Sequence, residues 1–481
     1  MDASKAIDAL AKVLPSGQLA IQGTQEYDQL NGSYQSIRSS ETQPAAIFLP
    51  KSATEVSIFV RTISPFALSG QAPFAIFGAG QQPALGCNNI QGGITLNLSL
   101  LTGIDIKDDT VSIAAGERWG AVYEKLDPLG LSVAGGRSAR NGIGGLALQG
   151  GLSFFSSREG FIADNVVNYQ IVLASGEIVN ANANDHPDLW KALRGGGNNF
   201  GVVTRFDLRT FKQGALYGGS LFYFAPSFPS EIQALVTELQ KPNATPETHL
   251  MISIGFAAPF GPDPMCQNQV YYTQAVEKPE VLEPFTSVQP QIDALNTIRL
   301  IPNVTEAANE QAGDQQVAKR VAYMNATVKA DIATLQAAVN IYTAAIDPVK
   351  ATEGLICSLT FQPYAESLLQ SSASKGGDVL GLEGTNSGSL VNLLLLTYWS
   401  NASDDGTILG AMKIALQGID QDAASKGTKV DYVYMNYASE DQDVIGSYGS
   451  KNKKLLQEAS KKYDPKGLFQ KGVPGGWKLF T

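Results

Sequence analysis

Phe74-Ala75-Ile76-Phe77-Gly78-Ala79-Gly80-Gln81-Gln82-Pro83 reads as a buried strand that runs straight into a glycine loop. Without a Cβ, glycine turns with positive φ and lets backbone N–H groups approach an anion closely. Gly78, Ala79, Gly80, Gln81 and Gln82 are therefore placed to wrap a bound anion, although a plain tight turn between strands uses the same residues. A second glycine stretch runs from Gly135-Gly136-Arg137-Ser138 into Gly142-Ile143-Gly144-Gly145. A third, Gly195-Gly196-Gly197-Asn198-Asn199-Phe200-Gly201, superficially suggests a dinucleotide fingerprint. It follows a helical pattern rather than a strand, and its last glycine comes one residue too late, so a nicotinamide Rossmann domain is not supported.

Working outward, Ala45 to Leu49 reads as a short strand, and Ser52 with Glu55 three residues on opens a helix with a capping-box spacing. Ile94 to Leu98 alternates as a half-buried strand, Val111 to Gly116 is another strand, and a helix over Trp119–Leu126 stops near Pro128 and Gly130. Val166 to Leu173 and Ile178-Val179 flank Ala174-Ser175-Gly176-Glu177 as a hairpin. Asp188 to Leu193 forms a helix, and Val202 to Leu208 returns as a strand. Trp190 and Leu193 fit the core of that helix, while Arg194 suits either a helix C-terminus or a phosphate contact. Beyond residue 212 glycine thins, Pro-rich loops are predicted at 225 to 229 and 259 to 264, and a long helix near 327 to 346. The expected fold is α+β with two domains: residues 1–212, a substrate domain of antiparallel sheet backed by helices over 213–430, and a segment 431–481 returning to the first.

The chain of 481 residues is longer than one core normally serves, and its composition is that of a globular protein, with 44% hydrophobic and 17% charged residues. A net charge of −10 with scattered Lys and Arg argues against nucleic acid as a partner. Three distant cysteines and two histidines imply neither a disulfide framework nor a metal site. His186 reads as an exposed loop residue and Cys87 as a small packing residue. The apolar stretch Leu390 to Trp399 is too short to span a bilayer, so no membrane association is expected. The N-terminal residues lack a secretory pattern, which places the protein in the cytoplasm; six Asn-x-Ser/Thr sites favour the alternative, secretion after loss of a signal.

These segments, taken in order with Asp164-Asn165-Val166-Val167, Tyr434-Met435-Asn436-Tyr437 and Tyr463-Asp464-Pro465, resemble the berberine bridge enzyme-like FAD-linked oxidases of the vanillyl-alcohol oxidase superfamily. The resemblance covers roughly 40 to 212 and 390 to 481. It implies a PCMH-type FAD-binding domain with Gly78 to Gln82, Gly135, Ser138, Gly142, Gly144, Gly145, Asn165, Val166, Val167, Asn436 and Tyr437 around the flavin. In that family the first loop usually ends in a histidine and the second stretch often carries a cysteine, both bonded to the flavin. Gln81 and Ser138 stand there instead, so the FAD is expected to be noncovalent. Of Val166 and Val167, the resemblance implies that one governs oxygen access to the ring.

Val433 to Tyr437 reads as a strand with Tyr432, Tyr434 and Asn436 on one face and Val433, Met435 and Tyr437 on the other. By the resemblance Tyr434 is the candidate base and Asn436 a flavin contact. A phenol is a weak base at neutral pH and needs a positive neighbour, which the sequence does not identify. Tyr364, Asn392 and Tyr398 are candidates for the substrate pocket, although core packing suits the aromatics equally. The implied activity is hydride transfer from a small organic substrate to flavin, with dioxygen or another acceptor reoxidising it. A redox-neutral cyclase that retains FAD and a flavin-binding protein without turnover are the alternatives.

Overall fold

The computed structural model describes residues 2–313, 319–382 and 388–480. Three sheets organise the chain. The first is small and ordered Leu19–Ile21, Ala46–Phe48, Ile94–Asn97, Phe74–Phe77, with its last three strands parallel. The crossover helix Ala53–Leu68 covers it, opened by Ser52, whose hydroxyl accepts from the Glu55 N–H, while Glu55 reaches back to the Lys51 N–H. Parallel neighbours on both sides bury all of Ile94–Asn97, so the half-buried alternation read from the sequence gives way to a fully buried strand.

The second sheet is antiparallel in the order Ile104–Ile106, Thr110–Ala114, Val202–Lys212, Val166–Val172, Ile178–Asn182, and Leu131–Val133 pairs with the far end of Val202–Lys212. Asn180 and Val179 face Gln170 and Ile171 across the hairpin that the sequence predicts.

The third sheet is antiparallel and eight-stranded: Arg299–Ile301, Leu216–Phe224, Met265–Tyr272, Thr248–Ala257, Ile356–Tyr364, Leu390–Trp399, Arg320–Lys329, Lys429–Val430. Helices Phe228–Leu239, Ile332–Ile346 and Asp405–Ser425 back one face. Residues 327–329, read as the start of a long helix, belong instead to strand Arg320–Lys329, which pairs along its whole length with Leu390–Trp399; the helix begins only at Ile332, capped by Asp331. Residues 225–229 are not a loop but a short turn leading into Phe228–Leu239, with proline tolerated in the first helical turn.

The strand period of two sorts this sheet's side chains. Ile252, Ile254, Leu359, Phe361, Leu393 and Leu395 point into the helix-backed core. Their neighbours Met251, Ser253, Thr360, Gln362, Leu394 and Leu396 point the other way, into a large cavity. The opposite wall of that cavity is built by the glycine stretches of the first half.

Candidate active site

The cavity has a volume of about 1110 Å³, beyond the ~300–1,000 Å³ of an ordinary small-molecule pocket. Gly78, Ala79, Gly80, Gln81, Gln82, Ser138, Gly142, Gly144, Gly145, Asn436, Tyr437 and Tyr398 all line it. Gly80 has φ +68°, which glycine adopts without strain. A Cβ added at Gly78 or Gly145 would meet no protein atom within 4 Å, because the space before it is cavity. A Cβ at Gly142 would come within 2.5 Å of the Ala79 Cβ, so the two glycine stretches touch there. Backbone is thus laid bare along one wall, as a close-lying phosphate-bearing cofactor requires.

Several sequence candidates lie elsewhere. Gly135 packs against Trp119 and Tyr123, whose side chains a Cβ would strike. Asn165 is buried and donates to the carbonyls of Glu159 and Phe161. Val166 is buried in the second sheet, and neither it nor Val167 lines the cavity. Tyr364 is enclosed, with ring neighbours Phe161, Tyr432 and Tyr434. Asn392 shares the cavity-side face of its strand but is buried beyond the cavity's end, donating to Asn325 at 2.8 Å.

That last pair sets the geometry of the Tyr434 segment. Asn325 accepts from the Tyr434 N–H at 2.9 Å and donates to the Tyr434 carbonyl at 3.1 Å. Residues 433–437 are not a strand, because side chains rather than a neighbouring backbone bind them: Val433 N–H donates to Ser447, and Met435–Tyr437 closes a 3₁₀ turn. The alternating faces read from the sequence therefore do not apply. Tyr434 is 1% exposed, beside Phe161, Tyr364 and Tyr437, and burial followed by Tyr437 pushes its phenol well above the usual range. Tyr437 faces the cavity instead. Asn436 also lines it, donating to Gln149 and accepting from the Gly151 N–H.

The positive neighbour missing from the sequence reading stands beside Tyr437. Arg137 Nη2 donates to the Tyr437 hydroxyl oxygen at 2.6 Å and to Gln362 Oε1 at 2.9 Å, and the Tyr437 hydroxyl donates to Gln362 Oε1 at 3.1 Å. Arg137 Nη1 lies 3.4 Å from His249 Nε2 and 3.4 Å from Met251 Sδ. Burial, then Arg137, holds the His249 imidazole well below its usual range, so it is neutral. Arg137 was visible only as part of a glycine motif, and His249 and Gln362 carried no signal, being 112 and 225 residues away from it in the chain.

Four further residues singled out in the sequence find their places in the structure. Arg194 makes no contact with the cavity: its side chain is fully buried and donates to the Ala163, Lys375 and Gly377 carbonyls, so a phosphate contact is ruled out. Trp190 stacks under it at 4.6 Å and donates to the Val166 carbonyl. Cys87 lines the cavity, with burial pushing its thiol up to about 12. His186 is half-buried and pairs with Asp185 at 2.8 Å, away from the cavity.

The family described as "FAD binding domain" matches residues 44–182, the span that contributes both glycine stretches. Among curated proteins the chain is similar to the FAD-dependent monooxygenase FUP4 of Fusarium proliferatum, 34% identical over 93% of this chain and 87% of that protein. It is likewise similar to the FAD-dependent monooxygenase tpcD of Cochliobolus heterostrophus, 34% identical over 92% and 86%. Its fold is shared with the BBE-like 1 protein of Physcomitrella patens, with a TM-score of 0.79, 18% identity and 99% of each chain covered. The glucooligosaccharide oxidase of Acremonium strictum, described with a 6-S-cysteinyl, 8α-N1-histidyl FAD, gives 0.78 with 17% identity over 99% of this chain and 98% of that one. The chain belongs to the family of FAD-dependent oxidoreductases that these fungal monooxygenases represent, and it shares its fold with the BBE-like protein. Within it, this protein is an FAD-dependent oxidoreductase that binds its flavin in a PCMH-type fold.

Proposed function

We propose that the protein oxidises a small organic substrate at noncovalently held FAD, with residues 1–212 and 431–481 forming the cofactor half and 213–430 the substrate half. The observation that carries this reading is the Tyr437 hydroxyl on the cavity wall, gripped by Arg137 where the second glycine stretch meets the substrate sheet. The exposed backbone at Gly78 and Gly145 suits the cofactor's body. Once bound, the flavin supplies the hydride acceptor, and dioxygen or another acceptor returns it to the oxidised state.

The chain's own residues then orient the substrate and move its proton. Once its own phenolic proton has left to solvent, Tyr437, rather than the enclosed Tyr434, takes the proton of a substrate hydroxyl. Arg137 holds negative charge on the oxygen beside it by a charge-assisted hydrogen bond, and Gln362 fixes the phenol's direction. Gln81 lies on the cavity wall with its amide turned back to the Ala79 carbonyl, and Ser138 lies on the same wall. Neither an amide nor an alcohol bonds the flavin ring as His and Cys do. The protonated Cys87 thiol offers no substitute. We place the protein in the cytoplasm, where its three unpaired cysteines remain reduced.

Two measurements test this. Acid precipitation releases yellow flavin into the supernatant; flavin that remains on the denatured chain refutes noncovalent attachment. Anaerobic mixing with phenols, alcohols, sugars and oxygenated aromatic acids bleaches the flavin for at least one class. A protein that purifies without flavin, and takes none up, overturns the function.

A further inference from the structure

Among the described residues the cavity lining carries Arg118, Arg137, Arg140 and Lys319 and not one Asp or Glu, in a chain whose 45 acidic residues outnumber its 35 basic ones. Three of these cations are turned to main-chain oxygens: Arg118 donates to the Arg140 carbonyl, Arg140 to that of Gly313 and Lys319 to that of Gly354. Arg137 differs. Its partners are the Tyr437 hydroxyl, the Gln362 amide oxygen, the Met251 sulfur and the His249 ring, all of them side chains and, with Tyr437 protonated as its bond to Gln362 requires, all neutral. Such dipoles satisfy N–H groups without cancelling the charge. Among the described residues no carboxylate pairs with Arg137, and a partly desolvated cation without a counter-charge is costly until an anion arrives.

We propose that the substrate docks as an oxyanion, a carboxylate or an ionised enol or phenol, directly on Arg137. This rests on the reading of the cavity as the redox site. Arg137 is adjacent in sequence to Ser138, on the cofactor wall, yet its guanidinium reaches Gln362 and Met251 on the substrate sheet, so an anion bound there lies at the junction of the two halves. Around that pole Ser253, Gln267, Gln269, Ser358 and Thr360 present hydroxyls and amides, which match an oxygen-rich molecule. A protonated amine at Arg137 meets a like charge with no carboxylate beside it among the described residues, and is rejected.

The test titrates the flavin-loaded protein by calorimetry with benzoate, benzamide, 4-nitrophenol and 4-nitroanisole. The parent binds benzoate over benzamide, or nitrophenolate over nitroanisole, by about tenfold or more, each pair sharing its ring and differing in the charge on the oxygen-bearing group. Benzoate selectivity alone identifies a carboxylate substrate. Nitrophenol selectivity that rises as pH crosses that probe's own ionisation identifies an enolate or phenolate. R137Q abolishes the selectivity and R137K retains part of it, and because calorimetry needs no flavin signal, both variants are readable whether or not they hold flavin. Equal binding of each anion and its neutral isostere by the parent overturns the proposal, as does selectivity that survives undiminished in R137Q. Failure of the enzymatic reading is separate: it shows as absence of flavin, whereas failure here leaves a flavoprotein indifferent to ligand charge.

Discussion

Arg194 and Asp164 meet at 3.2 Å with neither side chain exposed to solvent. The pair belongs to a strut. Asp164 also accepts from the Phe161 N–H, and Arg194 donates to three carbonyls on two separate segments, so residues 161–166 and 375–377 are fastened to the end of helix Pro187–Leu193. Desolvation raises the Asp164 carboxyl, with Arg194 acting against it. Removing one partner leaves a buried charge and several orphaned carbonyls. Arg194→Met is therefore expected to cost about 3–5 kcal/mol, read as a large fall in Tm. Asp164→Asn, which keeps an acceptor for the Phe161 N–H, is expected to cost less. A Tm for Arg194→Met within a degree of the parent would contradict the strut.

Gly145 and Gly80 separate cofactor space from fold requirements. Gly145 lies in helix Ile143–Leu148 with open cavity before it, so Gly145→Ala gains helix propensity of up to about 1 kcal/mol and strikes no protein atom. The apo protein's Tm should hold or rise while flavin affinity drops. Gly80→Ala, with its positive φ and a Cβ 2.7 Å from the Phe77 ring, should instead lower the apo Tm. Unchanged flavin affinity in Gly145→Ala would remove the cofactor from that wall.

Replacing Tyr437 by Phe deletes the hydroxyl between Arg137 and Gln362. Rapid-mixing measurement of anaerobic flavin reduction should show a fall of about 10²- to 10⁴-fold, the usual value of general-base assistance. Tyr434→Phe should reduce flavin at nearly the parent rate, since its ring is enclosed by Phe161, Tyr364 and Tyr437. The reverse ranking would restore Tyr434 as the proton acceptor.

Glu231 gives stability a pH dependence. Its carboxylate accepts from Asn268 at 2.6 Å inside the helix-backed core, and desolvation lifts its pKa to about 7 from 4.5. The folded state therefore holds a proton that the unfolded state releases between those values. The stability this site contributes is complete below about pH 4.5 and is lost as pH rises through about 7, amounting to up to roughly 3 kcal/mol at 1.36 kcal/mol per unit. Glu231→Gln keeps an acceptor for Asn268 without the charge. In denaturant titrations it should match the parent near pH 5 and exceed it at pH 8; parallel curves at both pH values would reject the assignment.

Local signals in the sequence were strong where they described local physics. The Ser52 and Glu55 cap, the hairpin around Gly176, and helix Trp119–Leu126 stopping at a left-handed Gly130 stand as read. They depend on neighbours within a few residues. Residues 327–329 do not: they run towards helix Ile332–Ile346, and only the ladder of Arg320–Lys329 with Leu390–Trp399, some seventy residues on, holds them extended. Both glycine stretches and their approach to one cavity were legible as motifs. The Arg137, His249, Gln362 and Tyr437 constellation was not, because it is assembled from a loop, two strands of one sheet and a turn whose conformation is dictated by Asn325.

The last turn of the chain contributes to the cavity as well. Gly476 and Trp477 line it, the Trp477 carbonyl accepts from Asn199, and Gly475 accepts from Asn198. One wall is thus closed by segments nearly four hundred residues apart in the chain, so damage to residues 475–477 reaches the pocket as directly as damage to either glycine stretch.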